Sequence, residues 1–273
     1  RWLGILALAS VCLLGGGCSG PREVRSAVEG GETARGATDL EGTAHGFPEL
    51  RTLQGTKLGD GEFKQWLEGG ALHVLLRYEL DSGGWIEESS VLRQEPLVQE
   101  QWSWAEFRSG TLHRRLQIDF LSGDAVAEKR GSDGVERWSK HLDVEPGKAF
   151  AGFAWSLAIR SRREALQRGE KVELQGIGFT PKPTSATVQI SFLGVEQLTM
   201  AERSIAGEHY VIHPKVPWIA KPFVEAPDSS IWLTLPPVSF LRFEGPLAEP
   251  DDAIVRVDLL PGGASRKAEP ANR

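Results

Sequence analysis

From residue 72 onward, apolar and polar positions alternate in short runs that break at regularly spaced turn signals, the pattern of a meandering antiparallel sheet. Residues 72–80 alternate up to Asp81-Ser82-Gly83-Gly84, and 85–93 run back. Residues 102–108 meet 111–120 across Ser109-Gly110. Ser122-Gly123-Asp124 then leads into 125–130, which Gly131-Ser132-Asp133-Gly134 turns into 135–142. The pattern resumes over 171–180, 186–193, 195–203 and 208–213, and it ends with 231–235, 240–244 and 254–259.

One segment departs from this period. Residues 149–168 lie between Pro146-Gly147 and Gly169, a start and a stop that suit a helix, with Phe150, Phe153, Ala154, Leu157 and Ala158 on one face. Phe153, Trp155, Leu157 and Ile159 also alternate as a strand would, and helix is the expected reading. The predicted fold is mainly β: a long curved antiparallel β-meander, a half-barrel or open barrel, with one helix packed on its concave side. Two similar β halves would flank that helix. The second half is rich in proline, which cannot donate to a sheet ladder, so 214–227 reads as a long extended loop. Its Trp218, Ile219 and Phe223 are candidate interaction residues, with a packed structural cover as the competing account.

The two ends read differently. Residues 1–17 hold the apolar run 2–14, shorter than the ~20 residues a membrane-crossing helix needs, followed by Gly15-Gly16-Gly17: a secretory signal in outline. Leu13-Leu14-Gly15-Gly16-Gly17-Cys18 resembles the cleavage site of a bacterial lipoprotein precursor, although Gly15 stands where that family favours Leu. The resemblance implies lipidation of Cys18 and, with Ser19 following it, sorting to the outer membrane facing the periplasm. Cysteine usage agrees, because the only other cysteine, Cys12, falls in the part removed. Residues 18–48 read as a lipidated N-terminus and flexible tether, 49–261 as the β-rich domain, and 262–273 as a disordered tail.

Composition narrows the function classes. The 273 residues are 40% hydrophobic, enough for a sizeable core, and the net charge of −6 comes without a basic stripe, so no nucleic-acid partner is expected. Neither HExxH, GxxxxGK nor GxSxG occurs. Gly15, Gly17 and Gly20 match GxGxxG only formally, with no strand before them. His209 and His213 share a strand face about 13 Å apart, too far for one ion, so no metal and no cofactor is expected. Glu87-Glu88 and Asp251-Asp252 read as solvated charges, and Arg160, Arg162, Arg163 and Arg168 as a solvated helix face. Trp102, Trp104 and Trp155 are candidate ligand-lining residues, with core packing the competing account.

The region 50–260 also resembles uncharacterised bacterial envelope proteins built as long β-meanders and, more distantly, the half-barrel periplasmic lipid carriers. The likeness rests on overall texture and on the extended stretch 223–233 that runs into a Trp-bearing strand. It implies a curved sheet around an apolar cavity. The expected function is a noncatalytic, lipid-anchored envelope protein that binds an apolar ligand such as lipid, or a protein partner. A structural or assembly protein using the Pro-rich loop, and a hydrolase with an unrecognised site, are the alternatives. For the hydrolase, His209, His213 and Asp228 are the residues to test first.

Overall fold

The computed structural model describes residues 41–215 and 226–259. Along the first half run β1 (Ala44–Gly46), β2 (Glu49–Thr52), β3 (Lys57–Glu68), β4 (Ala71–Leu80), β5 (Trp85–Gln94), β6 (Leu97–Arg108), β7 (Thr111–Asp119), β8 (Asp124–Gly131) and β9 (Gly134–His141). A connecting stretch carries β10 (Ala149–Phe150), α1 (Ala154–Arg160) and α2 (Arg163–Gln167). The second half has β11 (Val172–Phe179), β12 (Pro183–Met200), β13 (Arg203–Pro214), β14 (Ser229–Thr234), β15 (Phe240–Pro246) and β16 (Ile254–Asp258).

All sixteen strands join one sheet, in the order β10-β11-β12-β13-β14-β15-β16-β2-β3-β4-β5-β6-β7-β8-β9, with β1 also on β3. Each half is a meander of sequential antiparallel pairs, and the halves are sewn together where β16 pairs with β2, Val257 opposite Leu50. The sheet curves without closing into a barrel. Its free edges are β9 and β10, linked by residues 142–148; the helices follow β10 and lead into β11, and α1 packs Ala154, Leu157, Ala158 and Ile159 into the core on the concave side.

Several expectations are corrected. Strand pairing is already present before residue 49: β1 and β2 pair with β3 in the same register from Ala44 to Leu50, Gly46 with Phe63 and Glu49 with Asp60, broken at Phe47-Pro48 and shifted at a bulge between Leu50 and Arg51. β3 escaped the pattern because its inward positions are Gly59, Gly61, Phe63 and Gln65, which do not alternate as apolar residues do. Gly61 is required there, since a Cβ would stand 2.7 Å from the Pro48 carbonyl oxygen and 2.8 Å from the Tyr78 ring. Residues 186–203, read as two strands, are mostly one long strand, β12, carrying a bulge between Phe192 and Gly194.

The expected single helix over 149–168 is a two-residue parallel strand and two short helices. The alternation of Phe153, Trp155, Leu157 and Ile159 is not a strand, since those residues cap and build α1, and the strand lies upstream at Ala149–Phe150. Gly152, at φ +57°, makes the turn between them.

The core fills the concave side. Leu72, Val74, Leu76, Tyr78, Ile86, Leu92, Trp102, Trp104, Leu116 and Ile118 from the first half meet Leu174, Ile190, Tyr210, Ile231 and Leu233 from the second, with Ala154, Leu157, Ala158 and Ile159 of α1 between them. Each fully buried aliphatic or aromatic side chain contributes roughly 1.5–3 kcal/mol, which supports helices too short to form alone. A second, smaller cluster lies on the opposite face, where Leu198 and Met200 pack on Trp232 and Leu241.

Candidate functional site: a cleft over the rim of the sheet

The interior is polar where the helical connection seats. Glu88 Oε1 accepts the Phe153 N–H at 2.6 Å and the Trp102 Nε1–H at 3.0 Å. Gln99 brackets Ala151, accepting its N–H at 2.8 Å and donating to its carbonyl at 3.2 Å. At the other end of α1, Arg160 pairs with Glu41; on α2, Arg163 pairs with Glu208, which also accepts from Gln167 at 3.0 Å and from the Tyr210 hydroxyl at 2.8 Å. Burial pushes the Glu88 carboxyl above the ordinary carboxylate range, against the pull of its two hydrogen bonds. Glu88 is half-buried and stands between the buried Leu76 and Trp104 on the concave face. The Tyr78 hydroxyl, buried and without a hydrogen-bond partner, is raised further still by burial and the nearby Glu88.

Beside this plug a cleft of about 680 Å³ opens. Its lining comes from both faces of the sheet: Phe63, Gln65, Phe153, Leu157, Leu233 and Phe240 from the concave side, and Arg51, Arg256 and Asp258 from the outer side. Gly46 and Phe47, at the end of β1, belong to the lining too, and the tip of the β12–β13 hairpin, Thr199 to Ala201, forms a further wall. Aromatic contacts shape the inner part, with Phe153 4.9 Å from Phe63 and 5.6 Å from Phe240 between ring centroids. The charged part is balanced: Arg51 is held by Glu49 at 2.5 Å, Arg160 by Glu41, and Arg256 lies 3.1 Å from Asp258. Phe47, at 52% relative exposure, is the most accessible large apolar residue of the cleft lining. Volume, apolar walls and a few polar groups are what a small-molecule site requires.

The residues singled out in the sequence lie elsewhere. Trp102 and Trp104 are buried in the core, Trp102 stacked on Phe179 and Trp104 under the Arg114 guanidinium at 5.0 Å. Trp155 packs against Phe150 at 5.8 Å. None of the three lines the cleft. Trp218, Ile219, Phe223 and Cys18 fall outside the described residues.

Two charge readings change. Glu88 is an interior anchor and not a solvated charge. The arginine cluster is mostly engaged inward, Arg162 donating to the carbonyls of Ala158 and Gly147, while Arg168 alone of the four makes only an exposed pair, with Glu170. His209 and His213 face different partners: His213 Nδ1 lies 2.6 Å from Asp228, and His209 sits between Glu196 and Ser230. Among the described residues no group of three or more His, Cys, Asp or Glu is placed to hold a metal ion, and no helix is long and apolar enough to cross a membrane. The cleft had no sequence signal, since its walls come from β1–β3, α1, the β12 tip and β14–β16. The one local hint was the Phe47-Pro48 break.

No protein-family model and no curated protein sequence matches the chain. Among solved structures, it is similar to a β-barrel-like protein of a domain of unknown function, DUF1849, from Brucella abortus. That likeness has 7% identity and a TM-score of 0.48, covering 80% of this chain and 95% of the other. It is also similar to the hypothetical lipoprotein YmcC from Escherichia coli K12, at 12% identity and a TM-score of 0.37, covering 80% of this chain and 84% of the other.

Proposed function

We propose that this chain is an envelope lipoprotein, anchored through Cys18 to a membrane facing the periplasm, whose β domain binds an amphipathic, lipid-like ligand in the rim cleft. The observation that carries the reading is the cleft itself: about 680 Å³, aromatic on its concave side and charge-balanced on its outer side. An acyl chain would lie against Phe63, Phe153, Leu157 and Phe240, and a polar head would meet the paired charges at the rim. Burying apolar chain supplies about 0.8 kcal/mol per methylene, so a chain of moderate length is held without any strong polar contact. The anchor rests on the signal and Cys18 pattern, with multiple acyl chains giving stable attachment.

Native mass spectrometry of the mature protein taken from its own envelope tests both parts. The expected result is a fatty-acylated N-terminal cysteine together with a co-purifying lipid, and loss of that lipid in Phe47→Asp, a change at an exposed position that leaves the core intact. Wild-type protein that is consistently empty and takes up nothing from a lipid extract would sink the carrier reading.

A further inference from the structure

On the outer face of the sheet, away from the core, three adjacent strands bring together a serine, a histidine and a glutamate. Tyr210 and Ile231 point into the core, so His209 of β13 and Ser230 of β14 point out. The β12 bulge between Phe192 and Gly194 reverses that strand's alternation: Phe192 packs on Tyr210, whereas Glu196, Leu198 and Met200 turn to the outer face. Re-aiming a side chain is what bulges do.

The geometry is that of a relay. His209 Nδ1 lies 2.8 Å from Glu196 Oε1, and His209 Nε2 lies 3.1 Å from Ser230 Oγ. An ionised carboxylate can only accept, so Nδ1 carries the proton and Nε2 presents its lone pair to the serine hydroxyl. The ring cannot swing freely. It stacks on Trp232 at 4.2 Å with planes 16° apart, and Trp232 Nε1 donates to the other oxygen of Glu196 at 3.2 Å. The bond from His209 also holds the Glu196 carboxyl below the ordinary range, which keeps it ionised.

We infer that Ser230 is a base-activated nucleophile that accepts acyl groups from neutral, activated esters or thioesters, with His209 as the general base and Glu196 as the residue that positions it. Ser230 Oγ attacks the carbonyl carbon while its proton passes to His209 Nε2. The tetrahedral adduct collapses with cleavage of the bond to the leaving group, which departs with that proton. Water then attacks the acyl-serine by the same route in reverse, releasing a carboxylic acid and restoring the hydroxyl.

The substrate class follows from what surrounds the serine. The backbone of Ser230 is committed to ladders with β13 and β15, so it offers no free N–H to a developing oxyanion, and a missing donor of that kind lowers rates by about 10²–10³. Good leaving groups, which need little oxyanion help, are therefore the substrates this site can serve. Glu244 stands opposite Ser230 on β15, and Arg242, 3.9 Å from it, is held by Asp258 at 2.6 Å, so an anionic ester gains no attraction there.

This site is separate from the rim cleft, and its test does not depend on lipid binding. The whole chain is incubated with p-nitrophenyl acetate, and acetylated serines are mapped by peptide mass spectrometry over time. Ser230 is expected to acetylate on the order of 100-fold faster than Ser132, an exposed turn serine, as general-base assistance provides. His209→Gln should bring Ser230 down to the Ser132 rate. Glu196→Gln should lower it at least several-fold and alter its pH profile, with circular dichroism unchanged in both. Ser230→Ala, which removes only a hydroxyl, should abolish burst release of p-nitrophenol. Acetylation of Ser230 no faster than Ser132, a rate indifferent to His209→Gln, or a burst that survives Ser230→Ala would each overturn the assignment.

Discussion

Glu88 shows how one buried carboxyl ties a sheet to the segment that covers it. Both of its hydrogen bonds converge on Oε1, and Gly152 makes the approach possible, because a Cβ there would stand 1.9 Å from that same oxygen. Glutamine keeps a carbonyl oxygen for both donors and removes the charge. The Glu88 carboxyl is raised in the folded state, so as pH climbs past the ordinary carboxylate value the unfolded chain ionises first and binds fewer protons than the native one. Stability therefore falls between that value and the elevated folded one. Glu88→Gln is expected to flatten this decline and to match or exceed the wild-type stability at neutral pH, as read from urea midpoints across roughly pH 4 to 8. Its surroundings were not legible in the sequence, where Glu87-Glu88 looked like two solvated neighbours. The alternation did place them on opposite faces, and only the curvature of the sheet made one of those faces an interior.

Among the elements, the β12–β13 hairpin combines a strong and a weak local signal. Its long strands follow from their β-branched and aromatic content, and the Gly194 bulge, at φ +130°, marks where β12 changes the face it buries. Its two-residue turn does not use the expected chemistry: Ala201 and Glu202 sit at φ +43° and +63°, where asparagine and glycine are favoured. Replacing them with Asn-Gly is expected to stabilise the protein by roughly 1 kcal/mol, seen as a higher urea midpoint with an unchanged slope. The helices make the contrary case. α1 and α2 lack side-chain N-caps, and their stretch holds because Glu88, Gln99 and Glu208 of the sheet, with Glu41 just ahead of β1, grip Phe153, Ala151, Arg163 and Arg160.

At the scale of the whole molecule, the open sheet is cross-braced at the end away from the cleft. Arg114 of β7, 6% exposed, reaches Glu106 at 2.7 Å and both Glu249 and Asp252 of the β15–β16 connection at 2.8 Å, while Lys129 of β8 joins Glu249 at 3.2 Å. This ties together strands that are far apart in the ladder order. Arg114→Ala removes the central cation from three converging carboxylates, leaving only Lys129 on Glu249 and Arg108 on Glu106, and is expected to cost about 3–5 kcal/mol, measurable by chemical denaturation. The pH response has the opposite sign to that of Glu88. Glu106 is held below the ordinary range by Arg108 and Arg114, against the desolvation of its site, so its contribution is complete above the ordinary carboxylate value and is lost as pH falls through the lower folded one.

The sequence by itself determined where most strands begin and end, where the chain turns, and that a helical stretch divides two β halves, because alternation and turn chemistry act over a few neighbouring residues. It also carried the signal and Cys18 pattern on which the anchor rests. Tertiary structure alone decided that β2 lies between β16 and β3, that Trp102 and Trp104 fill the interior, and that the cleft opens at the rim. It alone brought Glu196, His209 and Ser230 into line. Each of these depends on which strand lies beside which and on how far the sheet curls, and those pairings join residues whose separation along the chain leaves no periodic trace.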